Sequence, residues 1–183
     1  MPLVKSRPLT MHDYRRLPEG PPHCQLIEGE LEMSPSPNRY HQDILFNIAY
    51  LLRQYLERNS IGKVYVAPFD VCLTDLNVYQ PDIAFVSQRK FSILTDQGAE
   101  GAPDLVVEIL SPRTAEMDKG IKREIYFRTG VKELWIVDPD SKGIAVYRLR
   151  ENAETPAATY GENETFESEL LPGLKIETSR IFF

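Results

Sequence analysis

Residues 103–110, PDLVVEIL, leave little freedom of architecture. Val106, Val107, Ile109 and Leu110 make both faces of an extended segment apolar, which fits a strand in the middle of a sheet. Asp104 can sit at the strand's mouth, but Glu108 lies among the apolar residues. A carboxylate buried there needs a proton, a cation or several hydrogen bonds. The fold and the chemistry of the chain both turn on which of these it finds.

The chain has 183 residues, the size of one ordinary domain with a substantial core, and a single domain spanning 1–183 is the expectation. LTMHDYRRL reads as a short helix capped by Thr10, and CQLIEGELEM as a strand or hairpin with Gly29 as its permissive point. After the turn-rich SPSPN, residues 38–58 form the clearest helix, with Ile44, Ile48, Leu51, Leu52 and Tyr55 recurring at helical spacing. GKVYVAPFDVCL supplies two extended segments broken near Pro68, and YQPDIAFVS another with Pro81 at its start. A loop with Gly98, Gly101 and Pro103 leads to PDLVVEIL, and a helix is expected from Thr114 to Thr129, stopped by Gly130. KELWIVDPDSKGIAVYRL reads as two strands joined by a turn, residues 151–163 as a polar acidic loop, and TFESELLPGLKIETSRIFF as short extended pieces. The order gives a mixed α/β domain.

Several classes are excluded. No Gly-x-Gly-x-x-Gly follows a first strand, and no Gly-rich loop ends in Gly-Lys-Ser/Thr. No GxSxG elbow surrounds Ser111, which reads as a helix-start cap. Cys24 and Cys72 form neither a metal spacing nor a secreted framework, and no run approaches the roughly 20 apolar residues of a membrane span. A cytoplasmic protein without a membrane partner is expected. The net charge of −6 argues at first against nucleic acid, but residues 151–170 hold six glutamates and no lysine or arginine, so the rest of the chain sums to zero. Between Arg113 and Lys132, six basic residues stand against three acidic ones, which permits a modest basic surface.

Asp82 opens DIAFV, and Glu108 follows 26 residues later in LVVEIL. On neighbouring strands the two acids meet on rigid backbone, and a hard divalent cation turns their repulsion into attraction. Mg²⁺ or Mn²⁺ suits that oxygen chemistry. Glu28, in LIEGE, is a third acid if the N-terminal unit folds back, although Glu30 and Glu32 equally suit an exposed hairpin. Lys122 stands between Ile121 and Ile125 with Asp118 and Tyr126 one turn away on either side. Its ammonium either reaches over the preceding strand, to stabilise phosphate charge or orient a water, or snorkels to solvent; Lys119 and Arg123 are its exposed counterparts. His41, near the start of the long helix, is a core-edge or capping residue, or else a donor to phosphate or to a metal ligand. His12 and His23 add no zinc spacing. Tyr126 reads as a packing and hydrogen-bonding group, Trp135 as a core anchor.

Taken together, LIEGELEMSPSP, QPDIAFV, PDLVVEILSP, KGIKREIYFRTGVKELWIVDP and IAVYRL resemble the putative restriction endonuclease family, bacterial proteins numerous in cyanobacteria, within the PD-(D/E)XK nuclease superfamily. The resemblance runs from about Thr10 to Leu174. It implies a restriction-endonuclease-like fold: a central mixed β-sheet flanked by helices, with additional hairpins. It also implies an endonuclease that hydrolyses phosphodiester bonds, in DNA first, with Mg²⁺ or Mn²⁺ held by Asp82, Glu108 and Glu28. Carried over residue by residue, Asp82 is the PD acid, Glu108 the acid of the next strand, Lys122 the lysine of the following helix, Glu28 the acid of the opening hairpin and His41 the histidine after the turn. Leu110 stands where the superfamily's Glu-x-Lys pattern has its lysine, so Lys122 must replace that ammonium. The alternatives are a catalytically inactive domain of the same fold that binds nucleic acid or protein, an interaction domain whose acids pair with Arg113 or Arg123, and a hydrolase of smaller phosphoesters. A homodimer is a further expectation, because a second copy would present two cleavage centres to opposite strands, with no heptad or isolated apolar patch in the sequence to set its geometry.

Overall fold

The computed structural model describes residues 7–18, 23–33 and 36–183; Ser34 and Pro35, the first half of the Ser-Pro turn, lie outside them. Helix α1 (Met11–Tyr14) opens with a reciprocal cap in which the Thr10 side chain accepts from the Asp13 N–H and Asp13 accepts from the Thr10 backbone. Helix α2 (Arg39–Arg58) carries the expected stripe, with Ile44, Ile48, Leu51, Leu52 and Leu56 buried. Two short helices, α3 (Ala115–Met117) and α4 (Arg123–Thr129), replace the single expected helix from 114 to 129. Between them Asp118–Lys122 forms a widened π-type turn kinked at Gly120, whose φ of −106° and ψ of −105° leave the helical region. Gly130 ends α4 in the left-handed conformation, at a φ of 93°.

The central sheet is six-stranded and mixed, in the spatial order Ala158–Tyr160, Gly143–Arg148, Glu133–Asp138, Leu105–Ile109, Ile83–Ser87, Gly62–Val66. Leu105–Ile109 pairs in parallel with Glu133–Asp138 and antiparallel with Ile83–Ser87. A second six-stranded sheet is built from Glu30–Met33, Cys24–Ile27, Asn77–Tyr79, Asp70–Thr74, Gly98–Glu100 and Leu94–Thr95, and Thr165–Glu167 pairs with Lys175–Glu177. Two stretches read as loop therefore hold strands: Gly98–Glu100 lies parallel to Asp70–Thr74, and Ala158–Tyr160 extends the central sheet within the acidic segment. Both pair with distant partners, which local turn residues do not reveal.

The period-two alternation of Leu105–Ile109 divides the core. Leu105, Val107 and Ile109 pack with α2 and the C-terminal Ile176, Ile181 and Phe182. Val106 and Leu110 pack on the other face with Ile125 and Tyr126 of α4 and with Tyr79 and Ile27 of the second sheet. Glu108 belongs by parity to this second face. Asp104 sits at the mouth of the strand, immediately before Leu105, and is fully buried there; it accepts from the Ser87 N–H at 2.8 Å and pairs with Lys132 and Lys90. Among the described residues no helix is long and apolar enough to cross a membrane.

Candidate active site

Glu108 finds both a cation and a hydrogen bond. The Lys122 ammonium lies 2.7 Å from its Oε1, and the Tyr126 hydroxyl donates to the same oxygen at 2.6 Å. Lys122 also donates to Asp118 Oδ1 at 2.9 Å, one turn back on its own segment. All of these side chains are buried, and Lys122 is 2% exposed, which excludes the snorkelling alternative. Asp118 of the same segment is buried with it, so the excess of basic over acidic side chains left outside the centre is unchanged. Neither acid pairs with Arg123, which instead donates to the Glu154 carbonyl and lies over the Tyr147 ring.

The antiparallel register sets Ile83 opposite Val107, so Asp82, one residue earlier, stands across from Glu108, one residue later. Its Oδ2 accepts from the Ile109 N–H at 2.7 Å, clamping the Asp82 carboxylate to the Glu108 strand. Its Oδ1 faces His41 Nε2 at 3.4 Å. His41 is placed by the start of α2, where the Asn38 side chain caps the His41 N–H at 2.8 Å. Its Nδ1 is buried without a hydrogen-bond partner among the described residues.

Burial pushes the Glu108 carboxyl up to about 8; Lys122 opposes the shift, while Asp118 and Asp82 add to it. Burial works to lower the Lys122 pKa, but the charges of Glu108 and Asp118 outweigh it and the ammonium is held protonated. Tyr126 is raised by burial and by Glu108, so it remains a donor. For His41 burial acts downward and is outweighed by Asp82, giving a net upward shift. Glu108 and Asp118 thus share the one ammonium, while Asp82, on the other side of Glu108, adds to the upward pressure on its carboxyl.

Glu28 stands apart. It occupies the turn between Cys24–Ile27 and Glu30–Met33 at a φ of 50°, followed by Gly29 at 81°. Asn77 holds it from both sides, accepting from the Glu28 N–H at 3.0 Å and donating to Glu28 Oε1 at 3.0 Å. Asn77 in turn accepts from the Tyr79 hydroxyl at 2.8 Å, and the Tyr79 ring lies 5.7 Å from the Lys122 ammonium. Glu28 thus reaches the other acids only through Asn77 and Tyr79. Sequence reasoning assigned no role to Asn77, Tyr79 or Asp118. The four-residue spacing of Asp118 and Lys122 was the available signal for the last of these.

Among the described residues no group of three or more His, Cys, Asp or Glu side chains forms a metal cage. Mg²⁺ is usually held by one or two carboxylates with waters and substrate phosphate, so a cage of that size is not required. Both recorded donors to Glu108 take Oε1. Asp82 Oδ1 has only the long His41 contact. Asp82 and Glu108, opposite each other in the register of two paired strands, supply carboxylate oxygens, the donor type such an ion takes.

Residues 11–179 match a family model, Uma2, described as "Putative restriction endonuclease". The chain is also similar to a crystal structure described as a putative nuclease belonging to DUF820 from Anabaena variabilis ATCC 29413. The TM-score is 0.80 at 20% identity, covering 96% of this chain and 98% of that one, which establishes the shared fold. No curated protein matches the chain.

Proposed function

Because the chain belongs to the putative restriction endonuclease family, we propose that it is a divalent-metal-dependent endonuclease that hydrolyses phosphodiester bonds, with DNA as the first substrate to test. The observations that support this reading are the Lys122–Glu108 contact at 2.7 Å and the Asp82 carboxylate held on the N–H of Ile109, the residue after Glu108. Asp82 and Glu108 would hold Mg²⁺ or Mn²⁺, which when bound supplies Lewis-acid polarisation of the phosphoryl oxygen and a lowered pKa for water. Lys122 would orient the attacking water or donate to the charge growing on the phosphoryl group. Tyr126 would fix the Glu108 carboxylate, and His41 would steady Asp82. Glu28, held by Asn77, would join through a water or through movement of its side chain.

A second reading, a non-catalytic nucleic-acid-binding domain of the same fold, is favoured by the direct Lys122–Glu108 contact, which resembles a structural ion pair. A substrate screen separates the two. Supercoiled plasmid, linear duplex, single-stranded DNA, RNA and a small phosphodiester are incubated with Mg²⁺ or Mn²⁺ and with chelator. Metal-dependent cleavage that is lost in folded Asp82→Ala and Glu108→Gln supports the nuclease. Cleavage unaffected by both variants removes the assignment, and binding without cleavage selects the second reading.

A further inference from the structure

Helix α2 buries one face in the core, and among the described residues no element covers the opposite face. Arg39, Asp43, Phe46, Tyr50, Arg53 and Glu57 follow one another at alternating steps of four and three residues, so they form one stripe opposite buried Ile44, Ile48, Leu51 and Leu52. Phe46 is 69% exposed and Tyr50 53% exposed. Among the described residues these charges pair along the helix, Arg39 with Asp43 at 2.9 Å and Arg53 with Glu57 at 3.7 Å. The stripe is apolar at its centre and charged at both ends, over roughly 27 Å of helix.

We propose that this stripe is a homodimer interface in which α2 packs antiparallel against α2 of a second copy, about a two-fold axis beside Ile48. In that register every side chain of the stripe meets a complement equally far from Ile48. Phe46 faces the partner's Tyr50, Asp43 the partner's Arg53, and Arg39 the partner's Glu57. The charges also reject the alternatives. A slip of one turn in one direction sets Arg39 against Arg53, a slip in the other sets Asp43 against Glu57, and a parallel pairing sets each charge against itself. The alternation of three- and four-residue steps is the spacing that brings side chains of two facing helices into one seam. His41 lies on the buried side of α2, in the candidate site, so the pairing leaves both sites open. The interface therefore stands or falls independently of the proposed chemistry.

The test is charge reversal with mixing, using the full chain and sedimentation equilibrium. Wild type is expected at twice the 21.0 kDa chain mass. Arg39→Glu and Glu57→Arg, each alone, place like charges together twice per dimer and are expected to raise the dissociation constant about tenfold or more. Mixed in equal amounts they restore both contacts and recover wild-type association. Asp43→Arg mixed with Arg53→Asp repeats the test at the inner positions, and circular dichroism verifies folding of each variant. A wild type at single-chain mass at about 100 μM, above a typical weak-dimer constant, overturns the proposal. So do mixtures that remain monomeric, and so does protection of Phe46 and Tyr50 by single-stranded oligonucleotide on a monomer.

Discussion

Lys122→Met tests whether the ammonium is what permits Glu108 and Asp118 to share a buried centre. Methionine keeps most of the side chain's volume, so the change isolates the charge. Lys122 is 2.7 Å from Glu108 and 2.9 Å from Asp118, and all three side chains are almost fully buried. Removing one member of a buried ion pair costs about 3–5 kcal/mol. Glu108 offsets part of this by holding a proton, since its folded carboxyl is already pushed up to about 8 and loses the opposing influence of Lys122. About 3 kcal/mol near pH 9 is therefore expected, which for a urea slope of about 2 kcal/mol/M moves the midpoint by about 1.5 M. Near pH 5 Glu108 carries its proton with or without Lys122, and the loss falls to about 1.5–2 kcal/mol, the lower part of what hydrogen bonds to a charged group contribute. The assay is urea unfolding of both proteins in chelator at the two pH values. A variant within about 0.5 kcal/mol of wild type at both, the range of ordinary surface substitutions, would refute the argument.

Two further outcomes are expected. Tyr126→Phe removes a buried hydrogen bond to Glu108 and should cost about 1.5–3 kcal/mol in urea unfolding, with no matching loss in a Glu108→Gln background if the bond to the carboxylate is the cause. In chelator, wild-type stability should fall as pH rises from the ordinary carboxyl range to about 8, because the folded protein keeps a proton on Glu108 that the unfolded chain releases; titration should find this slope reduced in Glu108→Gln, leaving the shares of Glu133 and His41, which are also raised.

Much of this arrangement was legible in the text of the chain. The apolar stripe of residues 38–58 and the two-sided run around Glu108 located the two layers that enclose the central sheet, because each pattern buries its own face. Asp82 and Glu108 could be paired because both sit on strands with short-range markers. The break at Gly120 was not legible: the surrounding residues favour helix, and the turn widens where Asp118 and Lys122 turn inward together. Asn77 reads locally as a turn residue, and its grip on Glu28 arises only when two strands distant in sequence become neighbours. The Gly98–Glu100 and Ala158–Tyr160 strands were hidden for the same reason.

Leu110 packs in the core at the position where the superfamily pattern has a lysine, and the ammonium arrives instead from a kinked turn two elements further along the chain. A strand-borne lysine would share the rigid ladder of the acid beside it. Here the distance between acid and ammonium depends on how Ile125 and Tyr126 seat the following helix. Substitutions under that helix can therefore retune the centre without disturbing a single rung of the sheet.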